Sequence, residues 1–420
     1  MTADNNRDIK LFPVLRECVI CIITAAVLFT MDRCLENMYC FFLYDTGKRW
    51  LDIFMSAYLH AHRWFPLVIS ISFFIWLCIK KFKINYGLLI PISVVYILYL
   101  ITSLLADGNI SRWGNLTLFP ATMYLFATMA CSTEKGAKRF FRVGTDLYIF
   151  LLLLNALFTL FPQLYHLFTP WEPDYFLSAD NLTGFPLFFG LFLAAMDHTF
   201  NEKKCRYILY LILFFINQGL IHCISSFAAA FIFLLFVAAA PVRDFIEKRH
   251  LFPLLCSSVI LFLLLLTSAI LFINNDKAYE FMCSILKYRE SVAVRFIIWN
   301  GVLFLLLKKP LLGYGLGNQA EFFLRPPANS LYYNAHNAFL QTLYEGGLIT
   351  QGAVGAVFFV LSKKIEKCDC SRYKGIVKII LFSELIMMQA SITSWFTWYP
   401  VFLIAQISAL CCSMKAGEQI

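Results

Sequence analysis

The sequence has 420 residues, of which 60% are hydrophobic and 15% are charged, and its mean hydropathy is +0.70. Soluble proteins are nearer half apolar and a quarter charged, so this composition excludes a soluble globular protein and predicts an all-α chain that crosses a membrane repeatedly. The net charge of +9 does not indicate nucleic-acid binding, because the basic residues lie in short clusters between apolar runs.

About twelve apolar runs are long enough, or nearly long enough, to span a bilayer as transmembrane helices. No segment between them is large enough to form a soluble domain, so we expect residues 1–420 to form a single integral membrane domain. In chain order, the predicted spans are Glu17–Met31, Phe65–Ile79, Leu88–Leu105, Leu116–Cys131, Asp146–Phe161, Leu182–Asp197, Tyr207–Gly219, Leu220–Ala240, Phe252–Ile273, Leu343–Leu361, Ile376–Ile392 and Trp398–Ser413.

Eight of the loops between these spans alternate in charge. Loops 163–181 and 393–397 contain no Lys or Arg, and the loop Asp107–Asn115 contains only Arg112. The intervening loops are basic, and positively charged loops stay on the cytoplasmic side of a membrane. The alternation predicts an even number of spans with both termini in the cytoplasm. The basic loops are 80–83, 135–142, 203–206, 243–249 and 363–374.

The longest predicted segment outside the membrane is the loop 274–342, between the ninth and tenth spans, which we expect on the outer face. One run within it, Val292–Leu307, is apolar enough to be a further span. A further crossing would place the basic loop 363–374 outside and invert the charge pattern. Because this run is also short and contains Arg295, we predict a helix that lies in, or dips into, the outer interface.

This external loop contains cations, a glycine-rich turn and a histidine. Arg295 and Trp299 are spaced i, i+4, on one face of the predicted helix. An arginine in an apolar helix either extends to the lipid headgroups or binds an anion such as a phosphate. The segment Pro310–Asn318 lacks the ending of a nucleotide-binding loop, and it is either a flexible turn or a close backbone approach to a ligand. His336, just before the next span, either caps a helix or acts as a general base near neutral pH.

Two other sets of polar residues are weaker candidates for a metal site or a catalytic site. Glu172 and Asp174 could hold a divalent metal, but two carboxylates in a proline-containing loop more often stay solvated. His222, Ser225 and Ser226 lack the third, orienting group that nucleophilic catalysis by serine requires. We therefore expect neither a metal nor a cofactor.

Three motifs, in this order along the chain, resemble the signature of the O-antigen ligase and O-antigen polymerase superfamily. They are Arg295-x-x-x-Trp299, then Pro310-Leu311-Leu312-Gly313-x-Gly315-x-Gly317-Asn318, then His336-Asn337-x-x-Leu340-Gln341-x-x-x-Glu345-x-Gly347. Asp180 and Asn181, before the sixth span, resemble the asparagine-containing loop of this family. The plan of about twelve spans with a large late external loop also fits the family.

The resemblance implies a metal-independent, inverting membrane glycosyltransferase of the GT-C type in the cytoplasmic membrane of a bacterium. Its partners are a glycan carried on undecaprenyl pyrophosphate, an acceptor glycan and the lipid bilayer. The resemblance implies that His336 takes the proton from the acceptor hydroxyl and that Arg295, helped by Arg325, stabilises the leaving pyrophosphate. It also implies that a set of loop residues lines or shapes the substrate site: Gly313, Gly315, Gly317, Asn337, Glu345, Asp180 and Asn181.

One position departs from the family pattern. Family ligases often carry a Ser-Arg-Gly-like motif in the span after the central turn, and the nearest match here has Phe227 in place of the arginine. A second cation for the pyrophosphate must then come from elsewhere, and the candidates are Arg325, Arg289 and Lys308. The departure favours a polymerase over a ligase.

The first hypothesis is therefore a polysaccharide polymerase, which joins lipid-linked repeat units into capsule, exopolysaccharide or O-antigen. A chain-length regulator is a compatible partner for such an enzyme. The alternative is an O-antigen ligase, which shares the fold and the site but transfers the glycan to lipid A-core. A transporter of lipid-linked glycan is less favoured, because the sequence shows no inverted repeats and transport does not need His336. A membrane acyltransferase is also less favoured, since its catalytic histidine would normally lie within the bilayer.

Overall fold

The computed structural model describes residues 5–31, 49–80, 86–131, 133–167, 184–221, 252–253, 290–317, 335 and 337–366, together with 378, 381–383, 385 and 388. Within these residues all regular secondary structure is helical and no strand occurs, as the sequence predicted. The helices are α1 (Asn5–Met31), α2 (Arg49–Lys80), α3 (Tyr86–Leu105), α4 (Ile110–Ala130), α5 (Glu134–Leu160), a 3₁₀ helix (Pro162–Leu167), α6 (Gly184–Asn201), α7 (Lys204–Ile221), α8 (Glu290–Lys308) and α9 (Ala338–Glu366).

Several of the described helices are suited to crossing a membrane. Large apolar side chains point away from the protein interior, as on α2, where Phe74 is 71% exposed. Such surfaces are suited to contact with lipid, and the chain is an integral membrane protein. The number of about twelve spans and the position of the large external loop remain predictions. In the described residues, three stretches are long and apolar enough to span, and two shorter apolar stretches accompany them: Glu134–Leu160, Lys204–Ile221 and Ala338–Lys363, then Trp64–Ile79 and Ile90–Leu105.

Helix α5 includes residues 135–142, which the sequence predicts as a basic loop. It begins at Glu134, because the Oγ1 of Thr133 accepts a hydrogen bond from the N–H of Gly136 at 3.1 Å and caps the helix. Lys138 then pairs with Glu134 one turn away, at 2.7 Å. The basic loop predicted over 135–142 is therefore the first part of a helix, which the membrane-spanning part continues.

The chain divides into two compact units, and the first consists mainly of residues 1–82 and 122–223. Helix α5 is central to it and packs against α1, α6 and α7. Phenylalanine rings fill its core: Phe141 stacks on Phe200 with ring centroids 5.2 Å apart and meets Phe192 edge-on at 6.2 Å. Aromatic rings in such arrangements contribute packing beyond the area that they bury.

Polar contacts hold the helices of the first unit in register. The guanidinium of Arg206, at the start of α7, lies 3.0 Å from Asp146 of α5 and 3.3 Å from Asp197 of α6. Further along the same helices, Asn155 donates a hydrogen bond to Asn217 at 2.8 Å, and both side chains are buried. Buried polar pairs of this kind join helices in lipid, where apolar side chains provide little drive to associate.

The second unit consists mainly of residues 83–121 and 224–416. Among its described residues, α9 packs against α3 and α8. Tyr314, from the turn after α8, stacks on Tyr344 of α9 with ring centroids 4.9 Å apart and planes at 13°. All the described residues of the three sequence motifs belong to this unit.

Candidate functional site

The turn after α8, residues 309–317, is defined by its glycines. Gly313, Gly315 and Gly317 have φ angles of +66°, +81° and +66°. These angles lie in the left-handed region, which residues with a Cβ adopt only at a cost. Residues 313–316 are buried. The turn is a packed part of the unit and makes specific contacts on two sides.

On one side the turn meets a kink in α9. Gly347 has φ +66° and ψ −171°, which interrupts the helix. In an uninterrupted helix, the N–H groups of Leu348 and Ile349 would donate to the carbonyls of Tyr344 and Glu345. At the kink, all four of these groups have partners outside the helix. In a membrane-spanning segment every backbone polar group needs a partner inside the protein.

The turn supplies a partner for each of the four groups. The N–H of Leu348 donates to Pro310 at 2.8 Å, and that of the next residue donates to Leu311 at 3.3 Å. In the opposite direction, the N–H of Tyr314 donates to the carbonyl of Tyr344 at 2.8 Å. The N–H of Gly315 donates to the carbonyl of Glu345 at 2.9 Å. The glycine-rich turn and the interrupted helix therefore complete each other's backbone hydrogen bonds.

On its other side the turn contacts the corner between α3 and α4. The N–H of Leu316 donates to the hydroxyl of Ser103 at 3.1 Å, and its carbonyl accepts from the N–H of Asn109 at 2.7 Å. The approach is close, since a Cβ on Gly315 would lie 3.1 Å from the Cα of Gly108. The corner and the turn were both predicted to lie outside the membrane, and their contact agrees with that topology.

Arg112, at the start of α4, lies beside the last glycine of the turn. A Cβ on Gly317 would lie 2.7 Å from Cδ and 2.8 Å from Nη1 of Arg112, so a larger residue at 317 would displace the arginine. The Oδ1 of Asn109 accepts from the N–H of Arg112 at 3.0 Å and caps the helix. From the sequence, Arg112 is distinguished only by its charge in an external loop, because no local pattern relates it to a turn so distant in the sequence.

His336 lies outside the described residues, but both of its neighbours in the chain lie within them. The residue before it, Ala335, is fully buried. Its N–H donates to Oε1 of Gln341 at 2.7 Å, and its carbonyl accepts from Nε1 of Trp299 at 2.8 Å. Two helices, α8 and α9, thus hold the backbone of residue 335 from opposite directions.

The residue after it, Asn337, is the N-cap of α9. Its Oδ1 accepts hydrogen bonds from the N–H groups of Phe339 at 3.0 Å and Leu340 at 3.1 Å. Its main-chain carbonyl accepts from the N–H of Gln341 at 2.9 Å, as the first bond of the helix. Asn337 is buried, so its side chain belongs to the helix end.

A buried carboxylate completes this network. The Nε2 of Gln341 donates to Oε1 of Glu345 at 2.9 Å, and the exposed fractions of the two residues are 5% and 1%. Thr342, the residue after Gln341, accepts a hydrogen bond from the hydroxyl of Tyr99 on α3 at 3.1 Å. An ionisable side chain buried in a membrane helix is costly, and such residues usually serve a function.

The structure thus brings part of the predicted site together and leaves part of it outside the description. Lys308 is exposed in the last turn of α8, with its Nζ 5.3 Å from the ring centroid of Phe304. Arg295 lies in α8, and its side chain is not among those described. The predicted residues that lie outside the described part of the chain are His336, Arg325, Arg289, Asp180 and Asn181, together with Phe227 and the acidic pair Glu172 and Asp174. Among the described residues, no cluster of His, Cys, Asp or Glu side chains could hold a metal ion.

A comparison with protein families agrees with the three motifs. Residues 207–360 match the family model described as O-antigen ligase (Wzy_C), and this range contains α8, the glycine-rich turn and most of α9. No match was found among curated proteins. The family match supports the O-antigen ligase and polymerase superfamily that the motifs indicated. The family implies a glycosyltransferase-like activity at a membrane, on lipid-linked glycan.

Proposed function

We propose, from the premise that residues 207–360 carry an O-antigen ligase domain, that this protein is a polysaccharide polymerase. It joins oligosaccharide repeat units carried on undecaprenyl pyrophosphate, on the outer face of the bacterial cytoplasmic membrane, to make capsule, exopolysaccharide or O-antigen. The observation that supports the proposal best is the local structure around position 336. Its two neighbours are fixed by hydrogen bonds at the start of α9, beside the helix that carries Arg295.

The proposed reaction is a single displacement that inverts the anomeric carbon of the donor. The hydroxyl oxygen of the acceptor sugar attacks this carbon, and His336 takes the hydroxyl proton as general base. The bond between the carbon and the pyrophosphate oxygen breaks, and its electron pair leaves with undecaprenyl pyrophosphate. Because pyrophosphate carries this charge well, the reaction proceeds without a metal when protein cations neutralise it.

Several cations are available to hold the pyrophosphate. Arg295 is the first of them, because a guanidinium can donate two parallel hydrogen bonds to a phosphate. Arg112 joins the candidates named from the sequence, since it lies at the glycine-rich turn that links α8 to α9. The other proposed cations are Arg325, Arg289 and Lys308, and the proposed residues that line or shape the substrate site are Gly313, Gly315, Gly317, Asn337, Glu345, Asp180 and Asn181.

The second candidate function is that of an O-antigen ligase, which the description of the matched family favours. The fold, the donor and the base would be the same, and only the acceptor would differ: lipid A-core in place of a growing chain. Phe227, at the position where ligases often carry an arginine, supports the polymerase.

Glycan analysis of a deletion strain distinguishes the two functions. For a polymerase, we expect single repeat units on their normal anchor and no long chains. Intact polymer that stays on undecaprenyl pyrophosphate, with none on lipid A-core, would instead identify a ligase. Unchanged glycans in the deletion strain would reject both functions.

The role of His336 is tested by complementing the deletion strain with His336→Ala. We expect this variant to reach the membrane at normal levels and to form no polymer, because the acceptor hydroxyl has lost its base. His166 lies in another predicted external segment, so His166→Ala is the matched control and should restore polymer. Polymer in the His336→Ala strain would remove the assignment of the base.

A further inference from the structure

The proposed reaction needs the imidazole of residue 336 in a defined place. Trp299 and Gln341 have no assigned part in the chemistry so far, and Glu345 is proposed only to line or shape the substrate site. Trp299 and Gln341 are bonded to the main chain of Ala335, and Glu345 is bonded to Gln341. Each belongs to the second unit, and Gln341 and Glu345 are buried. Their arrangement has consequences for the residue that follows Ala335.

The first consequence concerns the chain itself. Consecutive Cα atoms are about 3.8 Å apart, and each residue has only two soft torsion angles. Residue 336 is joined by one peptide bond to Ala335 and by another to Asn337. Both neighbours are held by hydrogen bonds to α8 or α9, so the main chain is held on each side of this position.

The second consequence concerns the direction of the amide of Gln341. The main-chain N–H of Ala335 can only donate, so it requires the amide oxygen of Gln341, and the amide nitrogen is then the atom that donates to Oε1 of Glu345. Both hydrogen bonds are therefore made by one orientation of the amide. In a buried, low-dielectric position, such a connected pair of hydrogen bonds is stronger than its members would be in water.

We propose that Trp299, Gln341 and Glu345 are positioning residues that hold residue 336 in place for its work as a base. This inference rests on the proposed function. It gives Glu345 a role through Gln341 and Ala335, with no contact to the sugar or to the pyrophosphate. We refer to the three residues as the clamp.

Two substitutions remove clamp bonds and keep most of the volume. Gln341→Met removes both side-chain hydrogen bonds, and Trp299→Phe removes the donor to Ala335 from a different helix. Gln351→Met is the matched control, because Gln351 is also buried on α9 and its amide makes no hydrogen bond with the part of the chain that the structure describes. Glu345→Gln is the conservative variant, because its amide oxygen still accepts from Gln341.

The first readout is the kinetics of the purified full-length enzyme in lipid nanodiscs, with the lipid-linked repeat unit as substrate. We expect Gln341→Met and Trp299→Phe to lower kcat about 10- to 100-fold, since a displacement of about 1 Å costs that much. KM should change less than about twofold, because donor binding is not affected. Glu345→Gln, which keeps the acceptor for Gln341, should lose less activity than Gln341→Met, and Gln351→Met should match wild type.

The second readout does not depend on activity. Diethyl pyrocarbonate labels histidines, and mass spectrometry of each peptide gives the rate at every site. We expect the rate at His336 to change in Gln341→Met and in Trp299→Phe, and to stay at the wild-type value in Gln351→Met. His166 in the same samples is the internal reference and should not change.

The outcomes separate the clamp from the proposed function. If His336→Ala is inactive while Gln341→Met and Trp299→Phe have normal kcat and normal labelling, the clamp is wrong and the function stands. If His336→Ala is fully active, the function is wrong whatever the clamp variants do. A Glu345→Gln variant as inactive as His336→Ala would show that the carboxylate itself acts on the substrate, which also contradicts the clamp. Should Gln341→Met not fold, Trp299→Phe decides alone.

Discussion

At the scale of single residues, the site depends on glycines that have left-handed backbone conformations. Gly347 is the most constrained of these, because a Cβ there would overlap the carbonyl oxygen of Leu311, with which Ile349 forms its hydrogen bond. At Gly352, one turn later on the same helix, a Cβ would have no neighbour within 4 Å among the described residues, apart from the adjoining backbone of α9 itself. The two positions form a natural pair for comparison.

We expect Gly347→Ala to destabilise the protein by about 2 kcal/mol or more, from the strained φ angle and the overlap together. Gly352→Ala should be neutral or stabilise the helix by about 0.5–1 kcal/mol, since alanine loses less conformational freedom on folding. Thermal unfolding of both variants in the same detergent measures the difference. Equal Tm values for the two variants would contradict the role given to the kink.

The sequence predicted these residues more accurately than it predicted their contacts. The glycines of Pro310–Asn318 predicted either a flexible turn or a close backbone approach to a ligand, and the described glycines lie close to the backbone of the protein itself. Asn337 was expected at the substrate site, and it caps α9 with a buried side chain. An asparagine before an apolar run is also a common helix start, and this signal was present in the sequence.

At the scale of elements, the site is an assembly of α3, α4, α8 and α9 around one turn. Helix existence could be predicted from apolar runs, because their length and composition are local properties of the chain. The partners of the turn could not, since Leu316 and Ser103 are 213 positions apart and neither has a local signature of the bond between them. The same reason explains why Arg112 was missed as a candidate cation.

The position of Arg112 leads to a prediction about charge geometry. If its guanidinium binds the pyrophosphate, Arg112→Lys should reduce polymer synthesis about tenfold, because an ammonium cannot form two parallel hydrogen bonds to a phosphate. Arg142→Lys is the control, on α5 and on the predicted cytoplasmic side. The rate of polymer formation in nanodiscs is the measurement. Wild-type rates for Arg112→Lys and for Arg112→Ala would exclude this arginine from the site.

At the scale of the whole molecule, the end of α3 and the starts of α4 and α9 all meet the glycine-rich turn. The charge pattern predicts that these three ends lie on the outer side of the membrane. Whether α8 crosses the membrane decides the orientation of everything after it. If α8 lies at the outer interface, the C-terminal end of α9 at Glu366 is cytoplasmic, as the basic loop 363–374 predicts.

Reporter fusions to truncated chains test this orientation. A green fluorescent protein fused after Glu366 should fluoresce, because it folds in the cytoplasm, whereas alkaline phosphatase at the same site should be inactive. Alkaline phosphatase fused after Leu167 should be active, and green fluorescent protein fused after Glu202 should fluoresce. Active phosphatase after Glu366 would mean that α8 crosses, and the predicted number of spans would then be odd.

The exchange of backbone hydrogen bonds between the turn and α9 also limits the order in which the chain can fold. The turn leaves the ribosome before α9, and two of its N–H groups and two of its carbonyls are bonded to α9 in the folded protein. Each such group costs several kcal/mol if it stays unpaired in apolar surroundings. Neither segment therefore has all of its final backbone hydrogen bonds until the other is present, and we expect the turn and the kink of α9 to fold together, after α9 has been synthesised.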